Sequence, residues 1–163
     1  MTGAGAGERA LWWKGRRGEW WVVGQLALMA AVVFAPVTWP WTGTRIPWVV
    51  PGALLVAAGL GLAAKGLRDL GPSLSPFPRP HRSATLVQTG VFAHTRHPIY
   101  GGLIIASLGW ALWRASGLHL LLTVALAAYL RAKGRHEETL LLERFPDYAA
   151  YRMRTKRLIP WIF

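Results

Sequence analysis

Long apolar runs alternate with short charged segments along this chain, and the runs have the length of membrane-crossing helices. A helix of about 20 apolar residues, rising roughly 1.5 Å per residue, crosses the hydrocarbon core of a bilayer. Four apolar runs of 15 to 19 residues are present, at residues 20–37, 46–64, 99–113 and 115–130. The pattern predicts an all-α fold, an integral-membrane helical bundle with four transmembrane helices.

The last two runs are short and are separated only by Arg114. This spacing predicts a helical hairpin with its turn at 114–117. Small residues recur in the second and third runs, and they allow the close backbone approach by which membrane helices associate. They are Gly59, Gly61, Ala63, Ala64, Gly101, Gly102, Ala106 and Gly109.

Two regions outside the apolar runs have their own signals. Residues 71–82 are rich in proline, which predicts an irregular loop. Residues 134–155 predict two C-terminal helices on the cytoplasmic side, an amphipathic one from Gly134 to Phe145 and a short one after Pro146. We treat residues 1–163 as a single domain, as the length indicates.

The charged residues predict an orientation in the membrane. The chain has 19 Lys and Arg residues against 7 Asp and Glu, and 17 of the 19 precede the first run, separate the second from the third, or follow the fourth. Only Arg45 and Arg114 lie on the opposite side. By the positive-inside rule, this predicts a multi-pass protein with both termini cytoplasmic, in a prokaryotic cell membrane. Nucleic acid is disfavoured as a partner because the basic residues flank apolar runs, where lipid head groups are their natural partners.

Other classes of segment and site are disfavoured. The first run could be a cleaved signal peptide, since Arg9, Lys14, Arg16 and Arg17 precede it, but it is long and lacks a small-residue cleavage site. We therefore expect it to be retained. The absence of cysteine excludes disulfides and thiolate chemistry. The histidines lack the spacing of a metal site, so no metal is expected.

The segment Arg96-His97-Pro98-Ile99-Tyr100-Gly101-Gly102 opens the third run. An isolated His-Pro pair is usually a helix start, with Pro at the first helical position. Here the glycines would clear space at a helix N-terminus, where free N–H groups bind anions. Polar groups at a membrane are costly unless they are paired or functional, so the segment is a candidate ligand site.

Further candidates lie near the C-terminus. Glu137 and Glu138 could pair with Lys133, Arg135 or Arg144 on a solvated helix, or one of them could bind a ligand cation. Tyr148 and Tyr151 could anchor the membrane interface or line an aromatic pocket. His119, inside the fourth run, is expected to be a core histidine bonded to another helix.

These residues resemble a known family. Leu86-Val87-Gln88-Thr89-Gly90-Val91-Phe92 followed by Arg96-His97-Pro98-Ile99-Tyr100 is similar to a motif of the isoprenylcysteine carboxyl methyltransferase and phospholipid methyltransferase superfamily. The later positions Glu137, Glu138, Leu141, Phe145, Tyr148, Tyr151, Arg157, Ile159 and Pro160 resemble its C-terminal block. The resemblance covers about residues 86–160.

The resemblance implies an integral-membrane methyltransferase that uses S-adenosylmethionine and acts on a lipidic or amphipathic acceptor. It also implies Arg135 and Glu138 as candidate catalytic residues. The cofactor-binding residues that it implies are Gly90, His94, Arg96, His97, Pro98, Tyr100, Gly101, Arg135, Glu137, Glu138, Tyr148 and Tyr151. Three positions depart from the family pattern: Val91 replaces a usual Pro, His94 a usual Tyr, and Pro146 a common Gly.

Two other functions fit the same sequence. A membrane reductase of related architecture would take a hydride from NADPH, and a non-catalytic membrane scaffold would keep the fold alone. The acceptor atom of a methyltransferase is also open, because a carboxylate is already deprotonated at neutral pH whereas an amine requires a base.

Overall fold

The computed structural model describes residues 18–78 and 84–158. The basic N-terminal segment, residues 79–82 of the predicted loop and the last part of the C-terminal block lie outside them. Within the described residues the regular elements are helices, which confirms the predicted all-α class. They are α1 (Glu19–Phe34), α2 (Ile46–Leu70), α3 (Pro98–Arg114), α4 (Gly117–Arg144) and α5 (Tyr148–Arg154), with short 3-10 helices at Gly71–Ser73 and Gly90–Ala93.

The first two helices begin where the sequence predicts but end elsewhere. α1 stops at Phe34, because a residue before proline disfavours helical backbone and Pro36 follows closely. α2 continues past the predicted end at residue 64 to Leu70. The charged residues after position 64 are compatible with a helix. Lys65 forms an ion pair with Asp69 one turn later at 2.8 Å, which stabilises this part of α2.

The fourth run and the first C-terminal helix form one continuous helix, α4. The prediction of a separate helix from Gly134 is therefore wrong. Lys133 and Gly134 are buried against the bundle, so packing stabilises the helix through the change from apolar to charged residues. The predicted interruption at Pro146 is confirmed, since Phe145 is extended and α5 begins at Tyr148.

Only one helix in the described residues meets the length and hydropathy expected of a membrane span by itself. It covers Ile46–Ser73, and Glu19–Phe34 is apolar but shorter. The helical hairpin of α3 and α4 is present, with its turn at Ala115 and Ser116 as predicted. The count of four spans remains a prediction.

Small residues let α2 and α3 pack closely. A Cβ added to Gly59 would lie 2.4 Å from the backbone nitrogen of Ala106, and one added to Gly102 would lie 2.5 Å from the carbonyl oxygen of Gly59. Gly109 meets Gly52 in the same way. The predicted role in helix packing is confirmed at Gly59, Gly102 and Gly109, but not at Gly61, which faces open space, or at Gly101, which meets the Leu158 backbone.

The α3–α4 turn packs on the connection between α1 and α2, and we call this the hairpin end of the bundle. Ser116 Oγ donates to the carbonyl of Thr38 at 2.7 Å, and the Trp41 N–H donates to the carbonyl of Ala115 at 3.0 Å. His119 is fully buried nearby, but neither ring nitrogen has a hydrogen-bond partner among the described residues. The expected bond from His119 to another helix is thus absent there.

Candidate functional site

The two sequence blocks meet at the opposite end of the bundle, where α3 begins and the charged half of α4 lies. We call this the polar end. The segment before α3 runs parallel to the segment after α5, with a bridge between Thr95 and Lys156. The N–H groups of Arg96 and His97 donate to the carbonyls of Lys156 and Arg157, each at 2.9 Å. The C-terminal segment therefore covers the start of α3.

Glu138 lies at the centre of a buried group of charges. Its carboxylate accepts from Arg96 Nε at 2.9 Å, from Arg157 Nη2 at 3.0 Å, and lies 3.3 Å from His97 Nε2. Burial acts to raise the pKa of Glu138, but the bonds from His97, Arg157 and Arg96 outweigh it and hold that pKa well below its usual value. We call these four residues the Glu138 cluster. It fastens the C-terminal segment to α3 and α4.

Glu137 points in a different direction, into a cavity. Its carboxylate accepts from the Tyr100 hydroxyl at 2.5 Å and lies 3.6 Å from His97 Nδ1 and 3.9 Å from Lys133 Nζ. The rings of His97 and Tyr100 stack almost in parallel, with their centroids 5.4 Å apart. Since the Glu137 side chain is only 14% exposed, neither glutamate lies on a solvated helix face.

Lys133 is, after Arg96, a second buried cation at the polar end, and it lies beside Glu137. Its ammonium donates to Gln25 Oε1 at 2.7 Å and to the carbonyl of Pro76 at 3.3 Å, and it lies 5.2 Å from the centre of the Tyr100 ring. Burial lowers the pKa of Lys133, and the charge of Glu137 opposes that shift. Lys133 thus connects α1, α4 and the Pro-rich segment at one point.

The cavity at the polar end has a volume of about 240 Å³. Its walls come from α1, the end of α2, the Pro-rich segment, the start of α3, α4 and α5. Seven of the residues implied by the family resemblance line it: Arg96, His97, Pro98, Tyr100, Glu137, Tyr148 and Tyr151. The structure therefore brings the two sequence blocks into one cavity that carries both signs of charge.

Aromatic side chains form one wall of the cavity. Tyr148 and Tyr151 meet edge to face with centroids 5.7 Å apart, and the Tyr151 hydroxyl donates to the carbonyl of Phe92 at 2.7 Å. Burial raises the pKa of Tyr151 to about 12. The Tyr148 hydroxyl is buried without a hydrogen-bond partner among the described residues. Such a group usually has a water or ligand partner.

The glycines at the start of α3 pack directly against the backbone of other segments. They do not clear space for an anion, contrary to what the sequence predicts. A Cβ on Gly101 would lie 2.0 Å from the Leu158 carbonyl oxygen, and Gly102 meets α2. Gly90 does not line the cavity. It has a φ of +60°, and a Cβ there would meet the Asp69 carboxylate, which accepts from the Val91 N–H at 2.8 Å.

Three other implied residues lie away from the cavity walls. Glu138 is buried behind Glu137 in its own cluster. Arg135 and His94 are exposed, and neither lines the cavity. The roles of Arg135 and His94 at a ligand therefore have no support from the cavity walls and remain predictions.

Sequence reasoning missed two contributors. In the sequence Lys133 has the pattern of a surface ion-pair partner of Glu137, but its spacing of four residues from Glu137 on a helix is a usable signal. Gln25 gives no such signal, because a lone polar residue in an apolar run carries no motif. Both line the cavity.

The chain is similar to known proteins in sequence and in fold. A profile of the phospholipid methyltransferase family matches residues 48–147. The cobalt-zinc-cadmium resistance protein CzcN of Cupriavidus metallidurans is 31% identical over 146 residues, which are 89% of this chain and 63% of CzcN.

The structure is also similar to that of the eukaryotic intramembrane Ras methyltransferase, isoprenylcysteine carboxyl methyltransferase. The TM-score is 0.66 at 21% sequence identity, over 88% of this chain and 52% of that one. At this identity the likeness concerns the fold. The chain spans less than two thirds of the length of either relative.

Proposed function

Because the chain belongs to the phospholipid methyltransferase family, we propose that it transfers a methyl group from S-adenosylmethionine to a lipidic or amphipathic acceptor at a membrane. The observation that carries this proposal is the cavity at the polar end. It joins the Arg-His-Pro-x-Tyr block to the C-terminal block and offers Lys133, Glu137 and an aromatic wall together.

The lining residues suit the parts of S-adenosylmethionine. Glu137 would hold the ammonium, and Lys133 with Arg96 would attract the carboxylate, because charge-assisted hydrogen bonds are the strong ones in a buried site. Tyr148 and Tyr151 would border the adenosine, and the Tyr148 hydroxyl, which has no partner among the described residues, gives a polar ligand a bond to make. Glu138 would act indirectly, by fixing Arg96 and His97 in place.

When bound, the cofactor supplies a methyl group on a positively charged sulfur. The chain's own task is then to align the acceptor for in-line displacement and to exclude water. Glu137 is the one carboxylate among the described lining residues, and the cofactor's ammonium would occupy it, so an amine acceptor would need a base other than Glu137. A carboxylate acceptor would need no base.

Glu137→Gln is expected to weaken S-adenosylmethionine binding by roughly 30-fold or more, because it removes one partner of a buried charge-assisted contact. Isothermal titration calorimetry of the detergent-purified protein with S-adenosylmethionine and with its demethylated product measures this. Glu143→Gln, at an exposed position of the same helix, is the matched control and should bind like the parent.

The outcomes separate the functions. Absence of binding of both compounds at high micromolar concentration contradicts the proposal, and tight NADPH binding in their place would indicate the reductase. A parent protein that binds neither cofactor, and whose cellular phenotype survives Ala at His97, would indicate a scaffold.

We also propose that the protein crosses a prokaryotic cell membrane several times with both termini in the cytoplasm. The asymmetry of Lys and Arg supports this orientation. Reporter fusions at residues 1 and 163 should both report the cytoplasm. A periplasmic signal from either end contradicts the four-span arrangement.

A further inference from the structure

A second cavity lies between α1, α2 and α3, further from the polar end than the first. Its volume is about 200 Å³, and its polar contributions among the described residues come from Ser107 and Trp110. The indole nitrogen of Trp110 is buried without a hydrogen-bond partner among these residues. The other lining side chains are apolar, so the cavity suits a hydrocarbon chain.

The two cavities share one face of α1. Val22 and Gln25 line the first cavity, and Met29, Val32 and Val33 line the second. Positions separated by three, four, three and one residues fall on one side of a helix with about 3.6 residues per turn. The α1 wall therefore continues from one cavity into the other.

The wall formed by α3 is continuous in the same way. Tyr100 lines the first cavity, and Leu103, Ser107 and Trp110 line the second. These spacings of three and four residues again define one helix face. Trp110 is the residue of this face that lies furthest from the polar end.

The α2 helix completes the surface. Leu70 and Leu67 line the first cavity, and Leu60 and Val56 line the second. α2 packs on α3, and α1 packs on α4, so α1 and α2 form two sides of a cleft. We call its inner part, lined by Met29, Val32, Val33, Val56, Leu60, Leu103, Ala106, Ser107 and Trp110, the apolar cleft.

The shared surface has the depth of one lipid leaflet. From Val22 to Val33 the axis of α1 rises by about 16 Å at roughly 1.5 Å per residue. The hydrocarbon core of a bilayer is about 30 Å thick, so this is close to half of it. A lipid with its head group in the first cavity would extend one chain along the cleft and end near Trp110.

We propose that the apolar cleft holds one hydrocarbon chain of the methyl acceptor, and that Trp110 limits the length of that chain. The inference rests on the proposed function, because the cavity beside Glu137 must then hold the acceptor's reactive group. The acceptor's own chain is favoured over an ordinary bilayer lipid because the walls of the apolar cleft begin one helical turn from those of the first cavity, at Met29 after Gln25 and at Leu103 after Tyr100.

Photo-crosslinking tests the proposal without requiring turnover. The probes are lysophosphatidylethanolamine and free fatty acids, with saturated chains from octyl to hexadecyl and a diazirine at the chain end, in phosphatidylcholine nanodiscs. The two head groups distinguish an amine from a carboxylate. We expect cross-links on Met29, Leu103 or Trp110, mapped by mass spectrometry of the peptides.

The Phe side chain in Ala106→Phe fills the apolar cleft and should reduce these cross-links about tenfold. The reason is that roughly two or more methylene groups of the probe's chain are then excluded from the cleft. Ala57→Phe is the matched control, because Ala57 is exposed on α2 and lines neither cavity. Trp110→Ala should shift the preferred chain to greater length, and this variant keeps the test decisive if Ala106→Phe does not fold.

Cross-links that spread over the outer surfaces of α1 and α2, or that are equal in Ala106→Phe and the parent, overturn the proposal. So does an unchanged length preference in Trp110→Ala. Calorimetry on the same samples keeps the two hypotheses apart. If S-adenosylmethionine binds but no cleft cross-links form, only the proposed role of the apolar cleft is contradicted. If cleft cross-links form but S-adenosylmethionine does not bind, the proposed methyltransferase function is contradicted.

Discussion

Replacing Glu138 with Gln is expected to lower the free energy of unfolding by on the order of 3 to 5 kcal/mol, the cost typical of breaking a buried ion pair from one side. The Glu138 side chain is 3% exposed and faces Arg96, Arg157 and His97. Removing the carboxylate leaves these donors facing one another. The C-terminal segment, held through Arg157, should then separate from α3.

The effect should depend on pH in a definite direction. The pKa of Glu138 is lower in the folded protein than its usual value, so the folded state binds the proton less readily than the unfolded state. The carboxylate therefore contributes stability above an unfolded pKa of about 4.3, and this contribution is lost as the pH falls toward the lower folded value. The difference in unfolding free energy between the parent and Glu138→Gln should be largest at neutral pH. It should decrease as the pH falls below about 4.3.

Unfolding in detergent, followed by tryptophan fluorescence, measures the difference, and trypsin cleavage after Lys156 reports release of the C-terminal segment. Glu143→Gln is the control, because Glu143 is exposed on the same helix. Equal stability of the parent and Glu138→Gln would show that the cluster does not hold this segment. Loss of cofactor binding without destabilisation would instead assign Glu138 to the ligand.

Much of the architecture follows from the sequence. The starts of the apolar runs predict where α1, α2 and α3 begin, and Pro146 predicts the end of α4. These features can be predicted because they depend only on residues within one or two helical turns. The meeting of the Arg96 block with the Glu137 block could be anticipated only from the family resemblance. Nothing local in the sequence relates residues that far apart.

The separate roles of Glu137 and Glu138 could not be predicted. Adjacent residues differ by about 100° around a helix, so their surroundings depend on how α4 is rotated in the bundle. That rotation places Glu138 against Arg96 and Arg157, and Glu137 against Tyr100 and the cavity. Rotation is set by packing with the other helices, which a pattern of charges on one helix does not reveal.

Gly101 shows how one residue type permits two different explanations. In the sequence it resembles a glycine that gives a ligand access to a helix N-terminus. In the structure its missing Cβ makes room for the Leu158 carbonyl, which would lie 2.0 Å from an added Cβ. The two explanations predict different properties for the same variant.

Gly101→Ala should therefore destabilise the folded protein by about 1 to 3 kcal/mol, as expected for overpacking against backbone, which shifts less easily than a side chain. The Leu158 backbone must move away, and Arg157 beside it should lose its contact with Glu138. Gly61→Ala is the matched control on α2. Gly61 faces open space, so alanine there should raise stability by about 0.5 to 1 kcal/mol through its better helix propensity.

Trypsin cleavage after Lys156, thermal unfolding and S-adenosylmethionine calorimetry on the same two variants separate the explanations. If Gly101 accommodates the C-terminal segment, Gly101→Ala should speed cleavage, lower the unfolding temperature and weaken cofactor binding together, because His97 hydrogen-bonds the same segment through Arg157. If Gly101 instead serves the ligand directly, cofactor binding should fall while cleavage and unfolding match Gly61→Ala. That second result would mean that the C-terminal segment does not rest on the start of α3 as the structure has it.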